Sequence, residues 1–369
     1  MNRLVLTLAL VATALLAFKG ETYAAAITLF VGSAASVDWN SYRPEVFGVG
    51  LNFLDLAKAN SNDIVGGLIE ENANEAPELA VFDSEDMAEP GMLSYDTLHR
   101  TSLPTVSFAA AGNGFDASKS DIKLVNHQCF RFGGRIEAAK HIADNWRRGG
   151  AAGYQAFEAS GVMKVAMQYI GKQIFYGVSN DGLGFPGMKA FTPFGASYTY
   201  DATGSTANTG SSVYYVKFGE QYSRLMIGRA RNGNGIFDLP DFQEGDILGA
   251  NGKAMRAYIS ELSSYIGLQI ASPYSVLRIT NLTAQNGKGL TDAVIAAAKQ
   301  LMPSGWVPDA CFMSKRSSFQ LQSSRTVTLF GTGDNRPTQG QIAPVPTTDA
   351  DGVPIIQTDS ILSTDAIES

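Results

Sequence analysis

At 369 residues, with 45% hydrophobic and 17% charged side chains, the chain has enough apolar material for a sizeable core, and its length predicts two or three domains. A net charge of -7 excludes a strongly basic nucleic-acid wrapper, and two cysteines exclude a disulfide framework. The 38 glycines and 10% aromatics point to a mixed fold with many turns rather than a helical bundle.

Residues 1–26 carry Arg3, the apolar run Leu4–Phe18 and small residues around Ala24–Ala26. By physical criteria this is a secretory signal pattern, and the run is short for a membrane span of about 20 residues. It motivates one reading of the chain, a secreted or surface binding protein. The other is an N-terminal extension. Residues 27–50 read as linker. Residues 51–59 and 63–74 read as short helices, the second with Ile64, Val65, Leu68 and Ile69 on one face and Ser61 or Asn62 as its cap. Gly66 and Gly67 weaken it, so it needs a partner surface.

Residues 95–120 are polar and Gly-rich, too poor in apolar residues for a core element. SLPTVSF reads as a strand, which Pro104 confines to an edge or exposed ribbon. Residues 121–145 read as strand, turn, strand, with the break at Gly133-Gly134. Residues 149–176 keep helical spacing through Tyr154, Phe157, Gly161, Val165 and Tyr169, with Val162, Ala166 and Ile170 alongside; the wide apolar arc predicts a well-covered helix ending at Gly177.

Residues 178–210 read as a loop, 213–229 as two strands around a turn, and 231–252 as a turn-rich hairpin. Two strands fill 254–280, before and after Pro273. Thr291 caps a helix over 290–302 that Pro303 stops, and 309–313 is a buried strand. Phe319–Phe330 alternates in part, as a strand would. A low-complexity tail runs to Ala350, after which GVPIIQTDSIL restores a strand pattern.

No pattern for catalysis survives comparison with a plainer reading. Gly182-Leu183-Gly184-Phe185-Pro186-Gly187 matches G-x-G-x-x-G, but a helix precedes it where a dinucleotide loop needs a strand, so it reads as a turn. Asp238, Asp241, Glu244 and Asp246 lack the spacing of a calcium loop and read as a solvated hairpin. His99, His127 and His141 have no metal-ligand spacing, with His127 read as a half-buried strand residue. Arg147-Arg148 reads as an ion-pair or interface element, and Cys129 and Cys311 as buried thiols.

The order of segments carries more than any one of them. HRTSLPTVSF and GNGFDASKS are followed by CFRFGGRIE, a long helix ending IFYG, and GLGFPGMKAF. VYYVKFGEQYSRLMIG, AYISELSSYIGLQIASPYSVLRITNL, DACFMSKRSSFQLQ and GVPIIQTDSILSTDA come next. Over about residues 50–369 this set resembles the major capsid proteins of tailed bacteriophages, with the Hong Kong 97-type α+β fold.

The resemblance implies a structural shell subunit without catalytic, cofactor or metal residues. It implies a signal-like extension and linker at 1–50, an N-terminal arm at 51–94 and an extended loop at 95–120. A peripheral domain would take 121–210, with 149–176 as spine helix, and the strands of 252–285 and 346–369. An axial domain would take 211–251 and 286–345. The implied partners are further copies in pentamers and hexamers, a scaffolding protein, a portal, a maturation protease and non-specifically held double-stranded DNA, with no membrane in the mature form. The location would be the virion, after assembly in the host cytoplasm.

Overall fold

The computed structural model describes residues 76–87, 92–228, 237–249, 252–329, 341–344 and 348–369, with backbone alone for 326–329 and 341–344. The expected helices at 51–59 and 63–74, the signal-like stretch and residues 231–236, 250 and 251 of the expected hairpin lie outside them. Two compact units are distinguished, Gly50–Asp246 with Arg256–Ser369, and Met1–Val49 with Ile247–Met255. Of the smaller, the described part is a turn in which Gly249 N–H donates to Lys253 O at 2.9 Å. Nearly all of the described helix and strand belongs to the larger.

A short helix α1 (Glu78–Val81) and strand β1 (Ser84–Asp86) open the described chain. Strands β2 (Ser94–Ser102) and β3 (Asp121–Gln128) pair only with each other, as a two-stranded ribbon. Sequence reading placed a strand at SLPTVSF. The ladder instead lies just before it, over the polar YDTLHRTS, and ends at Ser102, two residues short of Pro104.

Strand β4 (Phe130–Ala139) runs unbroken through Gly133-Gly134, so the expected break is corrected to Cys129, between β3 and β4. The glycine has another cause. A Cβ on Gly133 would lie 2.2 Å from Leu262 O on the neighbouring strand β9 (Ala254–Ile270), so a close backbone approach, not a turn, requires it. After α2 (Lys140–Asp144), the 27-residue helix α3 (Gly150–Tyr176) forms where the 3.6-residue period predicted it and stops at Gly177. The loop after it opens with a 3-10 turn at Gly177–Ser179 and holds α4 (Met188–Phe191) and β5 (Thr199–Asp201).

Strands β6 (Val213–Val216) and β7 (Ser223–Gly228) form as read but join different sheets. The first sheet runs β1-β7-β9-β4, with β8 (Gln243–Leu248) also on β9. Its spine is the 17-residue β9, antiparallel to both β7 and β4. The second sheet adds β10 (Val276–Thr280), β11 (Ala310–Met313), β14 (Asp349–Ala350) and β15 (Val353–Gln357), in the order β14-β15-β11-β6-β10-β5. Strands β12 (Thr326–Leu329) and β13 (Gln341–Pro344) make a separate pair.

Helix α5 (Asp292–Lys299) forms with Thr291 as its cap, as expected. The segment read as a strand from Phe319 begins as helix α6 (Lys315–Ser324). Ser314 accepts the Ser317 N–H, and Ser317, Ser318 and Leu321 fall on one buried face, so a serine cap and a helical period prevail over the partial alternation.

Alternation along the second sheet divides its side chains between two cores. Tyr214, Val216, Val276 and Phe312 face one core, together with Ile170, Ile174 and Phe175 of α3 and Leu225, Ile266 and Leu268 of the first sheet. Val213, Tyr215, Leu277, Ile279, Cys311 and Met313 face the other, under α5 and α6. Every residue of β6, β10 and β11 is buried, as expected of strands covered on both faces.

The sheets therefore cut across the expected segments. β7, from 211–251, belongs with β4 and β9; β10 and β15 belong with β6 and β11. Residues 358–368 return over the molecule. Thr358 and Ser360 hydroxyls donate to the buried Glu78 carboxylate, whose pKa burial raises. Gly171 of α3 makes room, since a Cβ there would sit 2.0 Å from Glu78 Oε1.

Candidate assembly surfaces

The ribbon leaves apolar side chains uncovered. Leu98, Leu103, Ile122 and Leu124 are exposed along it; near its tip Phe108 is fully exposed, Val106 is 96% exposed and Phe115 75%. Such clustering on one projecting element marks a contact surface rather than the scattered apolar exposure of an ordinary surface. The tip has its own local order. Asn113 N–H donates to Ala110 O at 3.0 Å, Ser118 Oγ to Thr105 O at 2.9 Å, and Ser102 Oγ to Asp121 Oδ2 at 2.9 Å.

The base of the ribbon is held to the first sheet by a polar relay. Tyr95 hydroxyl donates to Gln269 Oε1, which also accepts from Arg224 Nε at 2.9 Å, while Arg224 Nη1 donates to Glu85 Oε2 at 3.0 Å. Beside it, Thr97 Oγ1 lies 2.7 Å from His99 Nε2 and 2.9 Å from His127 Nε2. His127 is buried in register with Tyr95. Burial, then the charges of His99 and Arg224, holds its pKa below the usual histidine value.

This gives a signed pH dependence. A folded value below the unfolded one stabilises the fold fully above about pH 6.5, and the contribution fades as pH falls below that. The thermal midpoint is expected to drop between pH 7 and pH 5, and His127→Gln to flatten that drop. An equal drop in the variant assigns the dependence to other groups.

The remaining candidates are scattered. Gly182–Gly187 is a turn after α3 in which Gln173 Nε2 donates to Phe185 O at 2.9 Å. Glu244 pairs with Lys140, Asp246 with Arg256 at 3.3 Å, and Asp238 pairs through its backbone with Ser263. Among the described residues no group of three or more His, Cys, Asp or Glu could hold a metal ion. Arg147-Arg148 is exposed in the turn between α2 and α3. Burial raises both thiols, Cys129 to about 11 and Cys311 to about 12.

Sequence reading missed the buried ion pair of Arg278 with Glu368. Arg278, 1% exposed, donates to Glu368 Oε1 at 2.7 Å, Glu368 Oε2 at 2.9 Å and Thr192 O at 3.1 Å, and Lys189 reaches Glu368 Oε1 at 2.8 Å. Burial alone would raise the Glu368 carboxyl, but the hydrogen bonds from Arg278 and Lys189 hold it below its usual value. The one signal was a lone arginine in the apolar run VLRIT.

Comparison with known proteins places this architecture. A solved structure of bacteriophage Epsilon15 is similar over 88% of this chain and 99% of its own, at 16% identity and a TM-score of 0.64. The SrpI encapsulin of Synechococcus elongatus PCC 7942 covers 64% of this chain and 98% of its own at 7% identity, with a TM-score of 0.44. The capsid of an empty GTA particle covers 63% and 99% at 7% identity, with a TM-score of 0.39. No curated protein sequence matches the chain. The family model for major capsid protein GP7 matches residues 89–367, which span the ribbon, α3, both sheets and the returning C-terminal segment. The chain belongs to that family, as a shell subunit of the phage capsid with a Hong Kong 97-like α+β fold.

Proposed function

We propose that this subunit of the virion capsid closes its shell by laying its ribbon across a neighbouring copy. The observation that carries this is the row of uncovered apolar residues on β2, β3 and their tip, in a chain whose two cores are built from other residues. Burying a large apolar side chain contributes about 1.5–3 kcal/mol, so several buried at each contact hold a shell that no single contact would. One ribbon given and one received by each subunit is a heterologous contact, which makes rings when the rotation from copy to copy closes.

In this reading the first sheet with α3 is the peripheral domain, and the second sheet with α5 and α6 is the axial domain packed around five-fold and six-fold axes. Residues 51–94 serve as the N-terminal arm, which joins the first sheet through β1. The role is structural, with no catalytic step. A scaffolding protein, a portal and a maturation protease complete the set of proposed partners. Packaged duplex DNA is enclosed rather than gripped, in keeping with a net charge of -7. No helix among the described residues is long and apolar enough to cross a membrane.

Negative-stain electron microscopy with light scattering tests the reading, on protein made from Met1 and from Ala26. Closed shells, or rings of five and six, are expected from at least one. Monodisperse monomer from both overturns ribbon-driven assembly.

A further inference from the structure

The ribbon tip carries two neighbouring residues that can react with each other. Five Asn-Gly pairs occur in the chain, beginning at Asn113, Asn232, Asn234, Asn251 and Asn286. Two of them lie wholly among the described residues: Asn113-Gly114 between β2 and β3, and Asn286-Gly287 between β10 and α5. An asparagine side chain is attacked by the main-chain nitrogen of the next residue when that nitrogen can swing onto Cγ. A following glycine, with no Cβ, obstructs the swing least. What then decides is whether the peptide between the two residues is held.

Asn286-Gly287 is held. It is the middle of a turn closed by Lys288 N–H, which donates to Gln285 O at 3.0 Å, and Lys288 O accepts from Thr283 N–H at 3.0 Å. Gly287 sits in the left-handed region at φ +74°. Asn113-Gly114 is not held in this way. The turn there is closed by Asn113 N–H on Ala110 O at 3.0 Å, with Gly112 at φ +99°, and it ends at Asn113. Among the described residues neither the Gly114 N–H nor the Asn113 side-chain amide has a hydrogen-bond partner. Both residues are exposed, and a Cβ on Gly114 would meet nothing within 4 Å.

We propose that Asn113 is a self-modification site, at which the free subunit exchanges its side-chain amide for a carboxylate with water as the only reagent. The Gly114 nitrogen bonds to Asn113 Cγ, the Cγ–Nδ2 bond breaks, and Nδ2 leaves as ammonia with the proton that the Gly114 nitrogen gives up. Water then opens the succinimide ring. Addition at Cγ leaves aspartate, and addition at the main-chain carbonyl leaves isoaspartate, whose backbone runs on through the former side chain. One water is consumed and one ammonia released, with nothing oxidised or reduced. The product places a negative charge between Phe108 and Phe115 at the tip. Under the ribbon-driven assembly proposed above, that charge must be desolvated when a neighbour covers the tip, so modified subunits enter shells less readily. The reaction itself does not depend on that reading.

Mass spectrometry of ageing subunits tests it. The full chain is kept unassembled in mildly alkaline heavy-oxygen water, sampled over time and digested with trypsin. The expected change is replacement of NH by labelled O in the peptide Thr101–Lys119, whose single asparagine is Asn113. It should run ahead of the same change at Asn286 in the peptide Ile279–Lys288. Gly114→Ala should slow it and Asn113→Gln abolish it, and the open space around the tip lets both variants keep the fold. No label at Asn113, label at Asn286 first, or an unchanged rate in Gly114→Ala overturns the assignment. Aged subunits are then assembled, with a lower modified fraction expected in shells than in the unassembled pool. Equal fractions overturn the exclusion from shells and leave the modification site standing. A chain that makes no shells overturns the ribbon reading, and the label at Asn113 still decides the chemistry.

Discussion

Excising residues 108–118 is expected to leave a folded, soluble subunit that forms no shells. The cut removes Phe108, Phe115 and the turn between them, and neither phenylalanine belongs to a core. What remains between Ser102 and Asp121 is a short connection that can still close the β2–β3 ladder. The base relay of Tyr95, Gln269, Arg224 and Glu85 is untouched. The fold therefore loses little, while the contact between copies loses its largest side chains. Circular dichroism should match the full chain, and light scattering should report small species only. Closed shells from the shortened chain would show that the ribbon tip is dispensable.

Glu368→Ala is expected to cost about 3–5 kcal/mol of stability, the range for leaving one member of a buried pair alone. Arg278 would keep its charge in a site that is 1% exposed, with Thr192 O, Ser212 Oγ and Thr280 Oγ1 as its remaining nearby acceptors. Lys189 would lose its partner as well. The double change Arg278→Met with Glu368→Met should lose less than the single one, because no unpaired charge is then buried. Denaturant titration of both variants decides it. A loss under about 1 kcal/mol for Glu368→Ala would mean that water reaches Arg278.

The sequence was legible where one element's own period decided its fate. Helix α3, strands β9, β10 and β11, the Thr291 cap of α5 and strand β15 are all of that kind. It was illegible where a distant partner decided. Gly133 looks like a turn until Leu262 O is placed beside it. His99 and His127 have no meaningful spacing in sequence, and only the β2–β3 register brings both to Thr97. Arg278 meets Glu368 across 90 residues. The apolar arc of α3 shows that a face wants cover, but only packing shows that Val165 and Tyr169 go without it. The assembly surface was half legible for the same reason. The exposed ribbon could be read from its polarity, its uncovered apolar row could not. The signal-like residues 1–26 pointed toward secretion, a reading that the capsid family assignment replaces.

The closing segment also orders events in time. Glu78 is bound by Thr358, 280 residues later, and Tyr176 by Asp365, 189 residues later. A ribosome finishes α1, the long helix and both sheets' earlier strands before it makes the residues that tie them together. Contacts so far apart in sequence form late. A nascent chain thus has its ribbon complete before the contacts of Glu78 and Tyr176 with the closing segment can form.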